Sequence, residues 1–114
     1  MALLLDNVPI VQQCAKVSSM SAQDRGRARM TASLGNHRRI EIIRLLRKQP
    51  LQCVDEIAEA CKIDKSTASE HLRRLQEGGM IAKKYKGRRV LLTATKRATA
   101  MLRTIDLLWS ASAE

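Results

Sequence analysis

The chain has 114 residues, 21 Lys and Arg against 11 Asp and Glu, and a formal charge of +10, so it reads as one small domain with a polyanionic partner. No Phe, one Trp and one Tyr exclude the exposed ring platforms on which single strands stack, which leaves double-stranded DNA as the expected partner. Three cysteines with no Cys-x-x-Cys, and only two histidines, exclude a disulfide framework and a zinc finger and fit a reducing compartment.

Met1 to Asp6 has no basic stretch before its brief apolar run. No later run nears the roughly 18 apolar residues that span a bilayer, so a cytoplasmic, nucleoid-associated protein without membrane contact is expected. Asn7 before Pro9 marks a helix start, because proline is tolerated in a first turn where its missing N–H is not needed. Ile10, Val11, Cys14, Ala15 and Val17 follow at helical spacing. Ser21 to Asp24 has the form of a capping box and predicts a second helix that Gly35 closes.

Asn36 caps a third helix, in which Ile40, Ile42, Ile43, Leu45 and Leu46 make an apolar stripe and Pro50 ends the run. Val54, Ile57, Ala58 and Cys61 sit at i, i+3, i+4 and i+7, one inward face of a two-turn helix, so Cys61 is read as inert packing. Ile63 and Asp64 make a turn, with Asp64 as the N-cap of a helix from Lys65 to about Glu77. Gly78-Gly79 supplies its left-handed cap. Strands at 80–86 and 89–93 form a hairpin, and from Lys96 the spacing of Ala98, Met101, Leu102, Ile105, Leu108 and Trp109 is helical again.

Positive charge is blocked rather than spread. Residues 36–50 carry five basic against one acidic residue, and residues 80–92 five against none. On the helix from Lys65, an apolar edge of Ala68, Leu72 and Leu75 faces inward and leaves Lys65, Ser66, Thr67, Ser69, Glu70, Arg73 and Arg74 to read DNA. Arg73 suits guanine, Glu70 a cytosine amine, and the serines bases or phosphates. His71 lies near the apolar edge and is read as half-buried and satisfied by the backbone. Lys83, Lys84, Lys86, Arg88 and Arg89, folded about Gly87, suit phosphates or the minor groove. The fold expected is mainly α with a small β-hairpin, a winged helix-turn-helix over 36–93. Helices over 1–20 and 96–110 dimerise it through Ile10, Val11, Cys14, Val17, Met101, Leu102, Ile105, Leu108 and Trp109.

Leu34-x4-Arg39-Ile40, Cys53-Val54-x-Glu56-Ile57-Ala58, Ser66-x2-Ser69-x-His71-Leu72-x2-Leu75-x2-Gly78-Gly79-Met80-Ile81 and the Gly87-Arg88 wing resemble the ArsR/SmtB family of winged-helix repressors. The match covers roughly residues 30 to 95. It implies a homodimer on a palindromic operator, released when a metal or oxidant is sensed. The family's sensing sites carry over incompletely: its Cys-Val-Cys stands here as Cys53-Val54-Asp55, and residues 96–114 offer Asp106 and Glu114 but no histidine.

What the resemblance leaves is Cys53 with Cys14, as a dithiol redox switch or a soft-metalloid site of the arsenite type, or else two ordinary buried cysteines. A helix start at Cys53 favours a reactive thiol. No other cofactor is expected. The function expected is a dimeric, sequence-specific repressor. The alternatives are a sequence-indifferent architectural or plasmid-partition protein on the same fold, or a MarR- or PadR-like regulator, suggested by Leu92-Thr93-x2-Lys96-Arg97-Ala98. No nucleophile–base pairing, phosphate loop or carboxylate–histidine cluster stands in the sequence, so an enzyme is not expected.

Overall fold

The computed structural model describes the backbone of residues 4–5 and 8–112 and the side chains of residues 22–111. In chain order the elements are β1 (Leu4–Leu5), β2 (Val8–Pro9), α1 (Ile10–Ser33), α2 (His37–Lys48), α3 (Val54–Cys61), α4 (Lys65–Glu77), β3 (Ile81–Lys86), β4 (Arg89–Ala94) and α5 (Lys96–Ser112). The helix-rich chain with one basic hairpin agrees with the expected class. No helix among the described residues is long and apolar enough to cross a membrane.

One expectation fails at the N-terminal side. Two helices were expected before residue 35, and α1 runs unbroken for 24 residues. Between Ile10 and Ser33 there is no proline, and a capping box defines a start only where the chain arrives extended. A preceding turn of helix satisfies the same amides, so the box at Ser21–Asp24 has nothing to cap. The helix ends where the Ser33 hydroxyl turns back onto the Met30 carbonyl at 2.6 Å and Gly35 N–H onto Ala32 at 2.9 Å. Asn36 then caps α2, its side chain accepting from Arg38 N–H at 2.8 Å.

The core is a single cluster that takes one face from each of four helices and the hairpin. Ile42, Ile43 and Leu46 of α2, Ile57 of α3, Leu72 and Leu75 of α4, Met80 just before β3, Ile81 and Leu92 of the hairpin, and Leu102 of α5 all belong to it. These are the apolar edges that the 3.6-residue period marks out. Leu102 corrects the expected subunit contact. It is wholly buried within its own chain, so it has no surface for a partner, and Met101 and Ile105 are half-buried against the same core. The side chains of Ile10, Val11, Cys14 and Val17 lie outside the described residues.

β3 and β4 pair antiparallel from Ile81 with Ala94 to Lys86 with Arg89. The two-residue turn between them begins at Gly87 with φ 63°, the position at which a II′ hairpin takes glycine. A further tie was not legible from the sequence. Gln52 bridges Leu92 through two backbone hydrogen bonds of 3.2 and 2.8 Å, which fixes the hairpin to the start of α3.

Candidate nucleic-acid interface

α3, a three-residue turn and α4 present the recognition edge. The turn is closed by Lys62 in the left-handed region at φ 57°, ψ 44°, and by Ile63 N–H on the Ala58 carbonyl at 3.0 Å. Asp64 then caps α4: its carboxylate accepts from Ser66 Oγ, from Thr67 Oγ1 at 2.5 Å and from Thr67 N–H at 3.2 Å. Those three donors, the Ser66 hydroxyl first, hold the Asp64 carboxyl down to about 2. Both hydroxyls are therefore committed to the cap, and Thr67 is half-buried.

Ala68, Leu72 and Leu75 are buried, and Lys65, Ser66, Ser69, Glu70, Arg73 and Arg74 are exposed on the other side of α4. The helix cations are already paired. Lys65 Nζ lies 3.2 Å from Asp55, Arg73 pairs with Glu70 and Glu77, and Arg74 Nε is 3.4 Å from Glu70. Such exposed pairs contribute little and can be exchanged for a phosphate or a base edge. Glu70 is held below its ordinary carboxylate range chiefly by the hydrogen bond from Arg73.

The wing differs. Arg89 reaches Glu56 at 3.3 Å, whereas Lys83, Lys84, Lys86 and Arg88 are exposed and make no ion pair among the described residues. Strand alternation turns Lys83 toward α4, where it lines a cleft with Ser69, Arg73 and Gln76, and sends Lys84 and Lys86 to the other face. Tyr85 is 73% exposed among these lysines.

His71 is half-buried as expected, but its partner is not the backbone. Its Nδ1 lies 3.3 Å from Arg39 Nη1, and Arg39 Nε donates to the Ser33 carbonyl at 2.7 Å. Cys53 is the half-buried N-cap residue of α3, with its N–H on Glu56 Oε1 at 3.1 Å. Hydrogen bonds from the Cys53 side chain and then its backbone hold Glu56 below its usual range. Burial, with Glu41 adding to it, pushes the Cys61 thiol up. No group of three or more His, Cys, Asp or Glu stands close enough to hold a metal among the described residues, and Cys14 lies outside the described side chains.

Residues 36–83 match the family described as "Bacterial regulatory protein, arsR family". The homodimeric winged helix-turn-helix domain of Mb0332 from Mycobacterium bovis, a "possible ArsR-family transcriptional regulator", is 27% identical, with 81% of this chain and 84% of that one covered at a TM-score of 0.68. A crystal structure of fragment 1–100 of a possible transcriptional regulatory protein from the same organism is 29% identical, covering 83% and 99% at 0.68. A point mutant of Lactococcus lactis ZitR in complex with DNA is 25% identical over 65% of this chain and 57% of that one, at 0.50. No curated protein matches the sequence.

Proposed function

We propose that this chain, whose residues 36–83 from α2 to the first residues of β3 match the arsR family of bacterial regulatory proteins, belongs to that family and is a homodimeric, sequence-specific repressor. α4 enters the major groove and the wing follows the flanking phosphates. The observation that carries the reading is the division of labour on one surface: a polar edge of α4 backed by buried Ala68, Leu72 and Leu75, beside a wing whose lysines have no carboxylate partner among the described residues. The homodimeric state of the Mb0332 domain and the DNA bound in the ZitR complex support a homodimer with DNA as its partner. Arg73 reads a base, Glu70 orients it, Lys65 and Arg74 take phosphates, and Lys83, Lys84, Lys86, Arg88 and Arg89 add affinity. Cys53 with Cys14 gives the response to thiol oxidants or arsenite, which Cys53→Ser abolishes.

Selection of bound duplexes from a random pool tests the reading, with a discrete palindrome as the expected product. On that site Arg73→Ala weakens binding about five- to 150-fold and relaxes one position. Lys84→Ala weakens binding on every sequence and lowers the salt slope by about one. Equal, sequence-blind losses from both variants would favour charge-driven architectural binding instead.

A further inference from the structure

A cleft of about 750 Å3 lies between α1, the end of α4 and the start of α5, and is lined by Gly26, Arg27, Arg29, Glu77, Gly78 and Arg97. Two of its four charges are answered elsewhere. Arg27 pairs with Asp24 at 2.9 Å, and Glu77 is engaged by Arg73. Arg29 makes no ion pair or side-chain hydrogen bond among the described residues. Arg97 has no carboxylate there either; its Nη1 donates to the Gly78 carbonyl at 3.3 Å. A Cβ on Gly79 would come within 2.6 Å of that Nη1, so Arg97 lies against glycine backbone and is held in place.

Gly26 is the second observation. It stands inside α1, where glycine is destabilising relative to alanine, yet a Cβ there would meet nothing within 4 Å. Packing within the chain does not require it. It adds no side chain to the wall of the cleft, beside Arg29 and Arg97, neither of which has a carboxylate partner among the described residues.

We infer that this cleft is an oxyanion site for a phosphate group, with Arg29 and Arg97 as its ligands and Gly26 as the opening that admits it. Paired guanidiniums suit phosphate because each offers a planar fork of donors. The phosphate belongs either to a small phosphorylated molecule or to a DNA backbone. The site stands apart from the assignment of α4 and the wing, and its first test contains no DNA.

Inorganic pyrophosphate is titrated into the full chain at constant ionic strength, with amide NMR shifts of Gly26, Gly78 and Gly79 as the readout. The expected result is saturable movement of all three, weakened at least tenfold by Arg29→Gln or Arg97→Gln. Gly26→Leu should block binding while raising the melting temperature, which separates a filled cleft from an unfolded chain. Shifts that fail to saturate, or that saturate equally in both arginine variants, overturn the inference. The second arm identifies the source. If Arg29→Gln lowers the slope of log affinity for duplex against log salt by about one, the group is a DNA phosphate. An unchanged slope beside lost pyrophosphate binding assigns a small molecule.

Discussion

At His71 the unprotonated nitrogen is a structural requirement, because Nδ1 lies 3.3 Å from Arg39 Nη1 and only a lone pair accepts from a guanidinium. Arg39 also donates to the Ser33 carbonyl at the end of α1, so one contact joins α1, α2 and α4. Burial first, then Arg39, lowers the His71 pKa, with Arg38 and His37 acting the same way and Glu70 against. The folded value therefore lies below the unfolded value of about 6.5. The neutral ring is the form that stabilises the fold; that contribution is present above about pH 6.5 and is lost as the pH falls through the folded value. Denaturation midpoints measured from about pH 7.5 to 5 should drop more steeply in wild type than in His71→Gln, and the His71 ring should titrate by NMR below about 6.5. A ring titrating at or above that value contradicts the contact. Helical spacing placed His71 beside the apolar edge. It could not name Arg39, which stands 32 positions away and is one of five Lys and Arg residues on α2.

Between elements, the starts of α2 and α4 were legible and the crossings were not. Asn36 and Asp64 cap as their residue types predict, since capping depends on a donor two or three residues away. Gly78 and Gly79 looked like one left-handed cap, and the fold divides their duties. Gly79 takes φ 75°, while Gly78 is right-handed at φ −83°, and a Cβ on it would overlap the Oγ and Cβ of buried Ser33. Gly78 is thus glycine because α1 passes against it, and the sequence around it carries no trace of α1. Gly78→Ala should cost about 1 to 3 kcal/mol, read as a lower denaturant midpoint with an unchanged m-value. Lys62 presents the opposite case, since a lysine holds the left-handed position of the α3–α4 turn. Lys62→Gly should stabilise the chain by about 0.5 to 1 kcal/mol and raise its melting temperature by about 2 to 4 °C. A lower melting temperature would mean that the lysine stem contributes more packing than the backbone strain removes.

For the whole molecule, the apolar stripe of α5 serves two purposes that periodicity cannot separate, because burial within a chain and burial between chains leave the same pattern. Leu102 is spent inside its own core, and Met101 and Ile105 rest against it. Leu107, Leu108 and Trp109 are 72%, 65% and 76% exposed. Those exposed side chains give the end of α5 an apolar surface suited to a second copy. Ile105→Glu would confuse dissociation with unfolding, since it places a charge against the core. Leu108→Glu avoids this, and it should give a monomer by light scattering with helical content and melting behaviour preserved at matched concentration. Its operator affinity should fall with dimerisation, because two recognition helices must reach half-sites about 34 Å apart. A Leu108→Glu protein that scatters as the parent does would move the subunit contact off the end of α5 and onto the first turns of α1.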